Sequence, residues 1–478
     1  MSSIPGTNDE LIELVKEQGI KLHPKVSIGK SELGGVGLSF NPENLKENEE
    51  IELLRIPKSS VFNINTLLEV LQDYKGKEGI ESDIIIELLT LIEPNNETHI
   101  IITYFIAFKY IEKLKSLPGY IQEYLKILSD TFTISYPEED VKGADKWIIE
   151  YKQMANRIKE EYECINSKMA EKFDISIEFS EYWQIYQAIR SRILEIPQEE
   201  EDGYSIDITL VPILDFVNHE HQNNAHFDID KQTNDIILLL DKIPSSEKFE
   251  ITINYSPENE IVYFYKNYGF RPKSKNNYQV INLSIREYIA EKFKDGLMIC
   301  KWIGIYPEIQ IIFNDDEVFM NVFNLGTLFN NLKYHPDWDD LLCENFKRFN
   351  SMKDNEFDKQ EILEWIKYQE LEMDLIYGVN PIGVLRDGSD DPYNAEDLED
   401  KLDEAIQFVV DYFKLKIDES VEVGDSSFSL MIKDYEEIKK DLFKRVIEQF
   451  EKGEKLDAYD VHKIRFRNYR SKPREYTG

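Results

Sequence analysis

Pro212-Ile-Leu-Asp215-Phe-Val-Asn218-His219, followed by Ile253-Asn-Tyr255 and then by Asn267-Tyr268-Gly269-Phe270, sets a carboxylate, an amide, an imidazole and two phenols between apolar, strand-like runs. Polar groups in such surroundings cost free energy unless hydrogen bonds or a ligand satisfy them. The stretch therefore marks a β-rich core and a place where something is held.

Strand texture extends around it in Leu210-Val-Pro-Ile-Leu, Ala225-His-Phe-Asp-Ile, Asp235-Ile-Ile-Leu-Leu-Leu and Phe249-Glu-Ile-Thr-Ile. A similar texture lies near the N-terminus, in Lys25-Val-Ser-Ile, Gly34-Gly35-Val36-Gly37-Leu38-Ser-Phe and Glu50-Ile-Glu-Leu-Leu-Arg55-Ile56-Pro57. It follows a short amphipathic helix, Glu10 to Gln18, capped by Asn8 or Asp9. Between the two β-rich pieces, Ile84 to Glu195 carries helical periodicity, with Ile100 to Leu117 heavily apolar and Trp147 to Met169 amphipathic. The acidic turn Glu199-Glu-Glu-Asp-Gly203 closes that segment, and no βαβ rhythm appears.

From about Asn282 the chain reads as helices to its end, among them Glu361 to Tyr377, Ala395 to Phe413 and Tyr435 to Phe450, separated by acidic turns such as Asp387-Gly-Ser-Asp-Asp-Pro. A length of 478 residues is long for one core, so two domains are expected. The texture places the boundaries at 1–79 for the N-terminal helix and first β piece, 80–204 for a helical insert, 205–280 for the second β piece, and 281–478 for an all-α domain.

Acidic residues outnumber basic ones by 92 to 56, and a formal charge of −36 repels phosphate backbones, so direct nucleic-acid binding is not expected. A basic protein partner is favoured, although an acidic surface also serves plain solubility. Cys164, Cys300 and Cys343 lie far apart and form no CxxC pair, which argues against a disulfide framework and a cysteine zinc site. His219, His221 and His226 are close in sequence, but no H-E-x-x-H occurs and nothing nearby completes a familiar ligand spacing, so no metal is expected. The first residues lack the pattern of a signal peptide, and no apolar run approaches the roughly 20 residues of a membrane helix. A soluble monomer in the cytoplasm or nucleus, without membrane contact, is the expectation.

Glycines 34, 35 and 37 have the spacing G-G-x-G with no helix pattern directly after them and no Lys-Ser/Thr, so they make a poor phosphate loop. They fit either a plain turn or a backbone that approaches a bound molecule closely. His219 is expected to be fixed by a hydrogen bond, beside a ligand or in the core. Buried tyrosines ordinarily fill space and satisfy their hydroxyls. Should Tyr255 and Tyr268 converge with Asp215, they would instead form an apolar-walled slot with polar tips, suited to a long aliphatic chain that ends in an amine.

Gly35-Val-Gly-Leu, Leu54-Arg-Ile-Pro, Ser191-Arg192, Asp215-Phe-Val-Asn218-His219, Asn254-Tyr255 and Tyr268-Gly-Phe occur in the order and approximate spacing of a split SET domain. The chain resembles the Rubisco large-subunit methyltransferase class, which includes fungal enzymes that methylate ribosomal proteins and translation factors. The resemblance covers about the first 275 residues, and Tyr124-Leu125-Lys-Ile-Leu128 is similar to the family's Y-x-x-x-L-P stretch without its proline. It implies an α+β fold: a SET domain of small mixed β-sheets with knot-like threading, split by a helical insert and followed by a helical substrate-binding domain.

By position, the resemblance implies that Gly35, Val36 and Gly37 lie along S-adenosylmethionine, that Asn218 and His219 hold it, and that Arg192 sits near the junction of cofactor and lysine sites. It further implies that Tyr255 and Tyr268 flank the methyl-transfer channel as the catalytic pair, Tyr255 also touching the cofactor. Ser191 and Asp215, with Tyr268, would stand at the lysine end. The activity implied is protein-lysine N-methylation, with a ribosomal protein or translation factor as the basic substrate. A histidine-methylating branch of the class is the nearest enzymatic alternative, and that branch lacks a tyrosine at the position of Tyr268. A catalytically silent SET-fold interaction module is the other.

Methyl transfer from a sulfonium to an amine requires nucleophile, methyl carbon and sulfur in line, which a narrow channel supplies as orientation. The amine must be neutral, and desolvation beside a cationic sulfonium favours loss of its proton. Tyr255 is not expected to act as a base, because a phenol titrates near 10.

Besides the missing proline after Leu128, the sequence departs from the family pattern between the two tyrosines. Ser256 follows Tyr255 where the family commonly has glycine, and Ile261 stands where it has asparagine, with Asn259 displaced. The two tyrosines keep the family's thirteen-residue separation, and no cysteine-rich tail follows the second.

Overall fold

Strand β4 (Ile51–Ile56) buries Ile51, Leu53, Leu54 and Ile56 and leaves Glu52 and Arg55 partly exposed. A register shift between Glu52 and Leu54 accompanies the burial of two successive leucines, which a regular strand would send to opposite faces. In this computed structural model β4 is an inner strand of an antiparallel sheet ordered β1 (Lys21–Leu22), β4, β9 (Ile236–Leu240), β8 (Ala225–Ile229). Arg55 is held between Glu52 at 2.6 Å, Asp230 at 2.7 Å and Asp235 at 3.2 Å.

The structure describes residues 17–33, 35–43, 51–73, 89–90, 96–111, 119–129, 131, 133–138, 141, 144–200, 203–245, 247–256, 259–272, 278–293, 296–297, 300, 306–322, 325–326, 328–329, 395–419, 421 and 423–456. The expected helices at Glu10 to Gln18 and Glu361 to Tyr377 fall almost wholly outside them, as do Gly34, Cys343 and the turn at Asp387.

A second sheet runs β2 (Val26–Lys30), β3 (Val36–Phe40), β10 (Phe249–Ile253), β7 (Asn218–His219). Its first three strands pair antiparallel, and β7 lies parallel to β10, so the sheet is mixed. Strands from both ends of residues 20–253 thus share two sheets, and the intervening helices leave and rejoin that core.

Helix α1 (Ile64–Asp73) precedes the insert, which contains α2 (Glu97–Tyr110), α3 (Gly119–Ser129), α4 (Lys146–Phe173) and α5 (Phe179–Arg190). Helix α2 is apolar around most of its circumference, and His99 and Ile101 to Phe108 are all buried, which makes it the insert's core helix. Its N-terminus is capped by Asn96, whose side chain accepts from the His99 amide at 2.9 Å. Helix α4 buries Trp147, Tyr151, Ala155, Ile158, Ile165 and Met169 at helical spacing and ends at Asp174 in the left-handed region.

Three expectations need correction. The helical reading up to Glu195 ran too far, because Ile193–Glu200 (β5) pairs antiparallel with Gly203–Leu210 (β6) in a hairpin whose strands have eight residues each. Leu210-Val-Pro-Ile-Leu is not one strand: β6 stops at Leu210 and the chain enters a 3-10 turn at Leu214–Phe216 through Ile213, whose φ is 73°. The aromatic run before Gly269 is a helix, α6 (Ile261–Tyr268). A short apolar run fits strand or helix alike, and here an N-cap at Glu260 and a left-handed Gly269 decide it.

Contacts divide the chain into one unit of Met1–Ile281, Phe313–Asp316 and Ser420–Lys439, and another of Asn282–Ile312, Glu317–Glu419 and Lys440–Gly478. The C-terminal region is helical as expected in α7 (Arg286–Lys292), α8 (Ala395–Lys416) and α9 (Ser427–Glu451). It is not all-α, because β11 (Gln279–Ser284), β12 (Glu308–Phe313) and β13 (Val318–Asn321) form a three-stranded sheet. These strands are short and Asn- or Asp-flanked, which hides their period among helical neighbours. Within the second unit, Phe413 stacks on Phe443 at 4.0 Å.

Candidate active site

Parallel pairing of Asn218 with Thr252 and of His219 with Ile253 sets the Asn-His pair directly beside the strand that runs into Tyr255. Asn218 uses both amide hydrogens: Nδ2 donates to the Val36 carbonyl at 3.1 Å and to Glu250 Oε1 at 2.8 Å. Ser31 Oγ lies 2.7 and 2.8 Å from the two Glu250 oxygens. A Cβ on Gly37 would stand 2.6 Å from Glu250 Oε1 and 3.0 Å from Asn218 Nδ2, so this glycine is demanded by close packing. Gly35 is demanded by its backbone, at φ +62°. The stretch Gly35-Val36-Gly37 is therefore brought against Asn218, with Glu250 as a partner that sequence reasoning missed. Its one signal was an acidic residue within an apolar strand.

His219 Nδ1 accepts the Tyr255 backbone N–H at 3.1 Å, which leaves Nε2 to carry the ring proton. The ring packs against Phe264 at 4.6 Å and Tyr255 at 5.3 Å. Burial, reinforced by the nearby His221, pushes the imidazole down to about 4, with Asn259 opposing the shift. Neither His219 Nε2 nor Asn259 Oδ1 has a partner at regular hydrogen-bond geometry. Asn259 is itself fully buried; its Nδ2 reaches the Tyr278 carbonyl at 3.3 Å and its own carbonyl accepts from Val280 N at 3.0 Å. The departing loop, of which 257–258 lie outside the described residues, thus ends by placing an asparagine on the histidine after all.

Tyr255 donates its hydroxyl to the Val217 carbonyl at 2.7 Å, and its ring meets Tyr268 at 4.8 Å. Tyr268 ends α6, beside Tyr263, Phe264 and Phe270. Glu260 fixes the start of that helix by accepting from Val262 N at 3.1 Å and from Tyr263 N. Burial raises both phenols well above the ordinary tyrosine range, with Tyr263 adding to the effect at Tyr268. Both stay protonated at neutral pH.

Asp215 does not converge on the phenols as a free carboxylate. Its side chain has 0% exposure; Oδ2 takes Arg192 Nη1 at 3.0 Å and the Tyr124 hydroxyl at 2.5 Å. Arg192 also donates to the Asp215 carbonyl at 3.1 Å and to Thr131 Oγ1 at 3.1 Å. Burial raises the Asp215 carboxyl above its usual range, against the pull of Arg192 and of Tyr124. Ser191 donates to the Ala188 carbonyl at 3.1 Å and lines a narrow cleft with Arg190, Tyr268 and Gly269.

A cavity of about 660 Å³ opens beside Tyr255 and Asn254, walled by Arg190, Ile193, Glu195 and Phe227 among others. That volume lies in the range of cofactor and small-ligand sites, roughly 300–1,000 Å³. Among the described residues no group of three or more His, Cys, Asp or Glu is placed to hold a metal ion, and His226 is engaged by Asp241 at 2.6 Å. No described helix is long and apolar enough to cross a membrane.

Residues 10–333 match the sequence model of a family described as cytochrome c lysine N-methyltransferase 1. A protein of that name from Kluyveromyces lactis is 32% identical over 322 residues, covering 62% of this chain and 64% of its own. Its namesake from Saccharomyces cerevisiae is 32% identical over 329 residues, covering 62% of this chain and 55% of its own. The chain thus spans less than two thirds of the length of either relative. The structure of Rubisco LSMT bound to sinefungin and monomethyllysine aligns with a TM-score of 0.51 at 13% identity, over 95% of this chain and 92% of that one. The fold is that of the SET-domain methyltransferases.

Proposed function

We infer that this chain, which belongs to the cytochrome c lysine N-methyltransferase 1 family, transfers the methyl group of S-adenosylmethionine to a lysine of cytochrome c. The observation that carries the reading is the Tyr255–Tyr268 pair, 4.8 Å apart, with the Tyr255 hydroxyl turned onto Val217 and its backbone amide on His219. The expected ribosomal or translation-factor substrate gives way to cytochrome c, for which the relatives are named.

When bound, the cofactor supplies an electrophilic methyl group on a sulfonium. The chain's residues would do the rest. Gly35, Val36 and Gly37 offer backbone groups on a cradle fixed by Asn218 and Glu250, and the neutral His219 holds the Tyr255 backbone in place. Because the Tyr255 hydrogen is used on Val217, its lone pairs are what the phenol can present to a polarised methyl group or an amine. Tyr268 and Ser191 line one narrow cleft, and we place the lysine end on that side of Tyr255. A strongly acidic chain complements a basic protein substrate, and we assign recognition of that protein beyond its lysine to the second unit.

The test is incubation of the full chain with S-adenosylmethionine and cytochrome c, followed by intact-mass and fragment analysis. Addition of methyl groups on a lysine, lost in Tyr255→Phe, is expected. Transfer only to proteins of a ribosomal extract would overturn the substrate. No transfer and no cofactor binding by calorimetry would make the chain an interaction module.

A further inference from the structure

Tyr124 belongs to the inserted helices, and its ring is enclosed by Phe62 at 5.2 Å and Phe105 at 6.2 Å. It is fully buried, and its hydroxyl donates to Asp215 Oδ2 at 2.5 Å. The same carboxylate oxygen takes Arg192 Nη1 at 3.0 Å, and Arg192 Nη2 returns to Thr131, just past α3, at 3.1 Å. Three separate pieces of chain therefore meet on one carboxylate: α3 with the residues after it, the α5–β5 junction, and the 3-10 turn.

That turn is strained. Ile213 is β-branched and sits at φ 73° and ψ −43°, a positive-φ conformation that costs on the order of 1–3 kcal/mol and persists only where its surroundings over-determine it. Three backbone bonds span the turn: Asp215 N to Val211 O at 3.1 Å, Phe216 N to Ile213 O at 3.1 Å, and Val217 N to Leu214 O at 3.0 Å. Its last carbonyl, that of Val217, accepts the Tyr255 hydroxyl at 2.7 Å. The aim of that phenol is thus set two residues from the side chain that Tyr124 and Arg192 grip.

We propose that Tyr124 is a positioning residue for methyl transfer: through Asp215 and Arg192 it clamps the strained Ile213–Val217 turn and thereby fixes the Val217 carbonyl that orients Tyr255. The proposal rests on the methyltransferase reading for its kinetic consequence but not for its structural one. It gives the helical insert a part in the chemistry, and it makes Asp215 a clamp point where a lysine contact was expected.

Tyr124→Phe removes one oxygen and keeps the ring packing. Hydrogen exchange should then quicken about tenfold or more at the amides of 215–219, with β3 and β4 unchanged, since the strained turn loses a charge-assisted bond. On cytochrome c, kcat should fall about ten- to a hundredfold while KM and cofactor affinity move less than about threefold. Unchanged exchange at 215–219 overturns the clamp. So does exchange that rises throughout the core, which would make Tyr124 a packing residue only. Faster exchange with wild-type kcat overturns its role in transfer. If the wild type transfers no methyl group, the methyltransferase reading fails, and the exchange result still decides the clamp. Should Tyr124→Phe not fold, Asp215→Asn, which keeps an acceptor but not the charge, is read by the same exchange.

Discussion

The Tyr255 hydroxyl donates to the carbonyl of Val217 at 2.7 Å, and Val217 is joined through Asn218 to the histidine whose Nδ1 accepts the Tyr255 amide at 3.1 Å. One residue is therefore held at both ends by a single short segment. The position of the hydroxyl oxygen and the direction of its O–H bond are fixed before any ligand arrives, which is the preorganisation that methyl transfer in a narrow channel requires.

Tyr255→Phe should accordingly lose transfer by about a hundredfold or more in kcat, in the range of removing one preorganised polar group from a reacting centre. Its cost in stability should be only about 1–3 kcal/mol, from the buried Val217 carbonyl left without its donor. Initial rates with labelled cofactor measure the first, and denaturant unfolding the second. Near-wild-type rates would place the chemistry elsewhere.

Gly37→Ala brings a methyl group into the cluster of Glu250, Asn218 and Ser31, where its nearest neighbour would be 2.6 Å away. A carboxylate on a flexible stem could step aside cheaply, but this one is tied by Ser31 at 2.7 Å and Asn218 at 2.8 Å. A loss of about 1–3 kcal/mol is expected, with weaker cofactor binding. Combining Gly37→Ala with Glu250→Ala should cost less than the sum of the two single changes. Strict additivity in that double-mutant cycle would show that Glu250 is not what the new methyl meets.

The sequence made the β-rich core, the interrupting helices and the Asn218-His219/Tyr255/Tyr268 set legible, because period-2 runs and motif order are local signals. What it hid was partnership. Glu250 and Tyr124 each lie far along the chain from the groups they bind, 219 residues between Ser31 and Glu250 and 91 between Tyr124 and Asp215. Asp215 was legible as an expensive buried carboxylate, but the guanidinium and phenol that bind its Oδ2 come from the insert, and only the fold brings them. The run from Ile261 to Tyr268 misled for a different reason: a short stretch dominated by apolar and aromatic residues fits either period, and its caps were the deciding information.

Those caps carry a prediction. Glu260 accepts from Val262 N and Tyr263 N at the start of α6, and Tyr268 is that helix's last residue. Glu260→Ala should cost about 1 kcal/mol and loosen Tyr268, whereas Glu260→Gln, which keeps an acceptor, should cost less. Gly269→Ala acts at the other end, where φ is 76°, and should also cost about 1 kcal/mol. Thermal unfolding of the three variants ranks them. Equal loss in Glu260→Ala and Glu260→Gln would mean that charge, and not the capping acceptor, is what α6 needs.

His219 makes stability depend on pH in a definite direction. A histidine in the unfolded chain titrates near its ordinary 6.5, whereas burial, with His221 nearby, pushes His219 down to about 4. Between those values the unfolded state binds a proton that the folded state refuses. The contribution is therefore fully present above about pH 6.5 and is lost progressively as the pH falls towards 4, by about 3 kcal/mol in all. Carboxylates titrate in the same window, so the informative quantity is the difference between wild type and His219→Gln. Denaturant unfolding at a series of pH values should show the wild type's advantage shrinking as the pH drops from 7 to 4.5, because the glutamine has no proton to bind. A difference that stays constant across that range would mean that His219 takes up its proton in the fold as readily as in the unfolded chain, which its Nδ1 could not do while holding the Tyr255 amide.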